Sequence, residues 1–174
     1  LHNLLENLLT WARAQSGRID FMSEKLDIAD IVEDTVEIFH GQIESKNIEM
    51  EIDIPSDSEI IFDENMIRTV LRNLISNAVK FTEERGKVGI SMENSGDDTY
   101  INISDTGIGM SPEDQVKLFR IDVANREIGS SGEKGTGLGL IICKEFVEKH
   151  NGTILVESSP GEGSVFSIKI PGQL

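Results

Sequence analysis

The chain has 174 residues, 38% hydrophobic and 27% charged, the composition of one soluble globular domain with at most a short appendage. Its 16 basic and 31 acidic residues leave a formal net charge of -15, which repels nucleic-acid phosphates and anionic lipid and excludes a broad binder of either. One cysteine, Cys143, excludes an internal disulfide, no Cys/His cluster suggests zinc, and no apolar run nears the roughly 20 residues needed to span a bilayer. The chain starts at Leu1 and carries no signal peptide, so it is read as a piece of a longer polypeptide.

From Leu1 to about Ser16 a helix is predicted. Leu1, Leu5, Leu8 and Ala12 form a heptad-like stripe, widened by Leu4 and Trp11, and Gly17 is placed to end it. So broad an apolar face either caps the domain's own core or belongs to a helical bundle. Ile31, Val32, Val36, Phe39 and Ile43 form a second helical stripe. Ile48, Met50, Ile52 and Ile54 alternate with acidic residues, as in a half-buried strand. After a turn at Pro55-Ser56-Asp57 comes a short strand, Ile60 to Phe62. Asp63 is placed to cap a helix running to about Phe81, with Ile67, Val70, Leu71, Leu74, Ile75 and Ala78 inward.

Val88, Ile90 and Met92 alternate, as do Ile101 and Ile103, which reads as a hairpin turning through residues 95–98. Ser111-Pro112-Glu113-Asp114 carries the signals of a helix start. Arg120 to Lys134 lacks periodicity and reads as a loop. A helix follows from about Gly137 to His150, then strands Thr153 to Glu157 and Val165 to Ile170 joined through Pro160-Gly161-Glu162-Gly163. The pattern is an α+β, two-layer arrangement on a mixed, mainly antiparallel sheet.

Three constellations carry chemistry. Asn73, Asn77 and Lys80, at i, i+4 and i+7, put two amides and an ammonium on one helix face. An amide oxygen is a hard ligand suited to Mg²⁺, and a lysine one turn on suits phosphate. The plainer reading is a solvated face, although asparagine is a mediocre helix former. Asp105-Thr106-Gly107-Ile108-Gly109 follows a strand, and its carboxylate is an acceptor suited to an exocyclic amine such as adenine's. A β-turn with a capping Asp is the alternative. Gly135-Thr136-Gly137-Leu138-Gly139-Leu140 opens a helix, where backbone N–H groups and the positive dipole end suit an anion, or where the glycines form a hinge. There is no Walker A motif, no HRD or DFG element and no GxSxG elbow. Cys143, beside Ile141 and Ile142, reads as packed.

In this order the three motifs resemble the N, G1 and G2 boxes of sensor histidine kinases, with Leu118-Phe119 resembling the F box. The resemblance runs from about residue 23 onward, and Leu4 to Gly17 resembles the end of the second helix of the family's dimerisation and phosphotransfer bundle. It implies a Bergerat-type ATP-binding fold over 21–174, a bundle helix over 1–20 and an ATP lid over about 111–134. By the same resemblance Asn77 ligates Mg²⁺, Asn73 supports metal and phosphates, and Lys80 contacts phosphate. Phe81 lies against the nucleoside. Asp105 accepts from the adenine amine, with Gly107 and Gly109 shaping the purine pocket. Lys134, Gly135, Thr136, Gly137, Leu138 and Gly139 approach the phosphates.

ATP-hydrolysing relatives carry a glutamate at the position of Asn73, which cannot take a proton. The resemblance therefore implies a site that holds Mg-ATP for a histidine nucleophile. It also implies these partners: the protein's own dimerisation domain, a second copy of the protein and a response regulator, without nucleic acid or direct membrane contact. The parent is then a bacterial inner-membrane sensor with this domain in the cytoplasm. His2 lies only 71 residues before Asn73 and, like His40 and His150, lacks the family's phosphoacceptor surroundings, so the acceptor is expected outside this chain. A degenerate nucleotide-binding scaffold and an anti-sigma-type serine kinase are the alternatives.

Overall fold

The computed structural model describes residues 21–56, 58–120 and 138–172. The expected bundle helix, the lid beyond Arg120, and Lys134 to Gly137 lie outside the described residues. The first strand, β1 (Ser23–Asp27), was not expected. It contains a single apolar residue, Leu26, and forms as the antiparallel partner of β3 (Glu59–Asp63), in which Ile60 and Phe62 are buried. Asp27 then caps α1 (Ile28–Glu37), its carboxylate accepting the Ala29 N–H at 2.9 Å.

The single helix expected over Ile31–Ile43 is two. α1 stops at Glu37, and α2 (His40–Lys46) restarts after the Phe39 N–H bonds the Val36 carbonyl at 2.9 Å. This tightened turn keeps Phe39 and Ile43 buried with Ile31 and Val32, which is why the apolar stripe looked continuous. β2 (Glu49–Asp53) is an edge strand, and Ile52, expected inward, is exposed there.

The central helix α3 (Glu64–Phe81) is capped as expected. Asp63 Oδ1 accepts the Met66 N–H at 3.1 Å. Its inner face buries Met66, Ile67, Val70, Leu71, Leu74, Ile75, Ala78 and Val79. Each large residue so buried contributes about 1.5–3 kcal/mol. Two mid-helix asparagines cost at most about 0.7 kcal/mol each, so the helix tolerates Asn73 and Asn77 easily.

β4 (Lys87–Ser95) and β5 (Asp98–Asp105) form the expected hairpin, tightened to a turn in which Gly96 has φ of +62°. After the short α4 (Pro112–Gln115), capped by Ser111, come α5 (Gly139–Lys149), β6 (Thr153–Ser159) and β7 (Gly163–Pro171). The five-stranded sheet runs β2-β4-β5-β7-β6, with β2 parallel to β4 and every other pair antiparallel. Ile90, Ile103, Phe166 and Val156 make one cross-strand row, and Met92, Ile101, Ile168 and Ile154 the next. Both rows pack beneath the helices in one core, which also holds Cys143. Burial raises the Cys143 thiol pKa, so it is packed and inert, as expected.

His150, at the end of α5, is buried. Its ring stacks on Phe62, with centroids 3.3 Å apart, and Phe21 packs on it at 4.8 Å. Nε2 accepts the Asp63 N–H at 2.9 Å while Nδ1 faces the Phe146 carbonyl at 2.7 Å. The two bonds together require the neutral ring with its proton on Nδ1. Burial accordingly lowers the His150 pKa below the ordinary histidine value. A lowered folded pKa gives stability that is complete above about pH 6.5 and is lost as the pH falls through the folded value. Wild type should therefore exceed His150→Gln by about 1–2 kcal/mol near pH 7.5, with the gap shrinking near pH 5. Denaturant midpoints at the two pH values measure this, and a gap independent of pH would contradict it.

Candidate functional site

The alternation that builds the core continues one step past its last apolar row. Val88, Asp105, Ser164 and Ser158 stand in register across β4, β5, β7 and β6. Because sheet side chains alternate faces, Asp105 shares the inner face of Ile101 and Ile103, and Ser164 that of Phe166 and Ile168. The sheet thus ends in a polar row under the helix layer. A cleft there is lined by Asp105, Ser158, Gly163 and Ser164, among others. Ser158 and Ser164 were not singled out from the sequence. Extending the Ile170, Ile168, Phe166 alternation by one more residue reaches Ser164.

Burial pushes the Asp105 carboxyl above the ordinary aspartate range, opposed by the backbone N–H groups of Gly107, at 2.8 Å, and Ser164. The loop after Asp105 is held from two sides. Ser158 Oγ accepts the Met110 N–H at 2.9 Å and donates to the Gly163 carbonyl at 2.8 Å. The Gly161 N–H bonds the Ile108 carbonyl at 2.7 Å. Gly109 and Gly163 have φ of +62° and +85°, and a Cβ on either would overlap backbone, at Ser159 and at Asp105 respectively.

The end of α3 closes the other side. A Cβ at Gly107 would run into the Phe81 carbonyl. Lys80 Nζ lies 4.7 Å from the centre of the Phe81 ring. One and two turns back on the half-buried polar face are Asn77 and Asn73. Asn73 Nδ2 donates to the Thr69 carbonyl at 2.8 Å, and its Oδ1 would stand 2.5 Å from a Cβ at Gly139. The first motif therefore meets the third, since α5 starts at Gly139 without a side-chain cap and its first-turn N–H groups have no partner within the helix. Leu138 supplies the carbonyl that accepts the Ile142 N–H at 3.1 Å. Leu118 packs on the core, and Lys144 Nζ lies 5.8 Å from the Phe119 ring centre.

Of the predicted residues, Asn73, Asn77, Lys80, Phe81, Asp105, Gly107, Gly109, Leu138 and Gly139 lie around one end of the sheet. Lys134, Gly135, Thr136 and Gly137 are outside the described residues. No group of three or more His, Cys, Asp or Glu side chains among the described residues could hold a metal by itself. A neutral amide oxygen such as that of Asn77 suits Mg²⁺ whose other ligands are phosphate oxygens and water. No described helix is long and apolar enough to cross a membrane.

A half-buried carboxylate at the end of the sheet, and an amide-bearing helix face in contact with a helix start that has no side-chain cap, are features that suit a nucleotide-binding α+β domain. Residues 62–174 match the model of the histidine kinase-, DNA gyrase B- and HSP90-like ATPases, and the chain belongs to that family. The adaptive-response sensory kinase SasA of Thermosynechococcus vestitus is 35% identical over 174 residues, covering 97% of this chain and 44% of that protein. The structure of the histidine kinase AdeS of Acinetobacter baumannii superposes with a TM-score of 0.80 at 27% identity, covering 98% of this chain and 78% of that one. Full-length ShkA in complex with AMPPNP superposes at 0.78 with 26% identity, covering 98% of this chain and 35% of that one. The chain spans less than half the length of the curated relatives it matches.

The raised Asp105 pKa has a thermodynamic consequence. A carboxyl whose folded pKa is raised stabilises only at low pH, and that contribution is lost as the pH rises through the folded value. The ionised form of Asp105 is therefore the less favourable one in the folded protein. Asp105→Asn keeps an acceptor for Gly107 and should melt at the same temperature as wild type or a few degrees higher near pH 7. Scanning calorimetry measures this, and a lower melting temperature would make the carboxylate structural.

Proposed function

We propose that this chain is the ATP-binding catalytic part of a sensor histidine kinase, which donates the γ-phosphate of Mg-ATP to a histidine on a dimerisation and phosphotransfer domain outside residues 21–174. The observation that carries this reading is the contact between Asn73 of α3 and the start of α5, which has no side-chain cap, on a sheet that ends in the half-buried Asp105. Bound Mg-ATP supplies the transferable phosphoryl group, and the imidazole nitrogen forms a bond to phosphorus as the bond to the bridging oxygen of the leaving ADP breaks.

The chain's residues position and neutralise. Asp105 accepts the adenine amine, with Gly107 and Gly109 bringing backbone close to the ring. Phe81 lies against the nucleoside and Lys80 faces phosphate. Asn77 offers its amide oxygen to the metal and Asn73 supports it. The N–H groups at the start of α5, with those of 135–137 before it, meet the phosphates locally, against the opposing field of a chain of net charge -15. Asn73 bears no carboxylate to draw a proton from water, so the site holds ATP for an outside nucleophile rather than for hydrolysis. The phosphoryl group then passes to an aspartate of a response regulator, in a homodimeric parent anchored as a membrane sensor.

His40 is exposed at the start of α2, with Nε2 3.3 Å from Glu44 Oε1, and both ring nitrogens of His150 are engaged in the core. Neither is placed as an acceptor. Calorimetric titration should show saturable, Mg²⁺-dependent ATP binding. Asp105→Asn should weaken it by at least about tenfold, the loss expected for a hydrogen bond to a charged group. Asn77→Ala should abolish the Mg²⁺ dependence. The chain incubated with γ-labelled ATP should gain no stable phosphohistidine. Absence of binding by folded wild type would leave a degenerate scaffold, and transfer to a serine-bearing partner would indicate the serine-kinase branch.

A further inference from the structure

The last turn of α3 carries Lys80 and Phe81, and an α-helix leaves its final carbonyls without partners inside the helix. Each acceptor here is taken up. The Ala78 carbonyl receives the N–H of Thr82 at 3.0 Å and its hydroxyl at 2.7 Å. The Phe81 carbonyl faces the Ile108 N–H at 3.4 Å, in the loop after Asp105. The carbonyls between them, of Val79 and Lys80, both accept from Lys46 Nζ at 2.9 Å, and the same ammonium donates to the Thr82 carbonyl at 3.1 Å. Lys46 is buried, as is Thr82.

Lysine is almost never buried unless its charge is compensated. Here three carbonyls at the negative end of an 18-residue helix compensate it. Lys46 is the last residue of α2. Asn47 follows it in the left-handed region, with φ of +51°, and the Lys46 carbonyl accepts the Arg85 N–H at 2.8 Å. Two helix ends far apart in sequence are thus tied through one residue.

We propose that Lys46 is a positioning residue of the nucleotide site: its ammonium fixes the last turn of α3, and so the places of Lys80, Phe81 and the loop beginning at Asp105. The inference rests on the reading that this chain binds ATP. Without the ammonium, the Val79, Lys80 and Thr82 carbonyls lose this donor in a buried place. The turn then opens to reach water and moves Lys80 and Phe81 with it. A purely structural lysine would lower stability and leave affinity unchanged in the folded protein.

The test is calorimetric titration of Mg-ATP into wild type, Lys46→Met and a core truncation, Ile170→Ala. Ile170 is buried on β7, six residues from the Ser164 register with Asp105. Measured well below each melting temperature, Lys46→Met should bind about tenfold more weakly, while Ile170→Ala melts lower and keeps wild-type affinity. If Lys46→Met does not fold, Lys46→Gln, a shorter neutral donor, should fold and bind with intermediate affinity. Wild-type affinity in either folded Lys46 variant overturns the proposal, as does an equal loss in Ile170→Ala, which would mean general loosening. If wild type itself does not bind, the nucleotide reading fails and takes this inference with it.

Discussion

Asn73 of α3 and Gly139 of α5 meet so closely that a Cβ at position 139 would stand 2.5 Å from Asn73 Oδ1 and push the amide aside. This approach sets how near the start of α5 lies to α3. It also brings two chemistries onto one helix. The inner face of α3 forms the middle of the core, and its outer face supplies the amides of the site. The core therefore fixes the register of the site, because α3 cannot rotate without exposing buried residues such as Leu74 or Ile75.

The sheet contributes in the same economical way. Its inner face is apolar over two cross-strand rows and polar at the next, where Asp105, Ser164 and Ser158 stand side by side. Such a row costs stability, because a carboxylate beneath a helix layer loses hydration. Two backbone N–H groups offset only part of that loss, as the raised pKa of Asp105 shows. Strain and unfavourable burial concentrate at functional positions because the rest of the fold can hold them in place.

Most of this was legible in the residues. The period of 3.6 in α3, the cap at Asp63, the alternation in β4, β5 and β7 and the first two motifs express local physics and lie on the elements expected, while of the third motif only Leu138 onward is among the described residues. What escaped depends on tertiary partners. β1 has one apolar residue and exists because β3 offers it an edge. The break between α1 and α2 is invisible to an apolar stripe that survives it. Lys46 reads as an ordinary surface lysine in sequence, and only the arrival of the α3 C-terminus, more than thirty residues later, gives its charge a reason to be buried. The bond of His150 to the Asp63 N–H, which spans 87 positions, is likewise a tertiary contact. Ser158 and Ser164 lay within reach of a strand rule carried one step further.

The clasp at the far end of α3 bears on how the domain is connected mechanically. Met22 N–H bonds Asp63 Oδ2 at 3.0 Å, beside the Oδ1 that caps the helix, and Phe21 rests on His150. Residues 21 and 22 thus meet the N-terminus of an 18-residue helix whose second half carries Asn73, Asn77 and Lys80. At 1.5 Å per residue the helix is about 27 Å long. A load applied to residues 21 and 22 is therefore taken up first at Asp63 and His150, inside the same core that holds α3 in register.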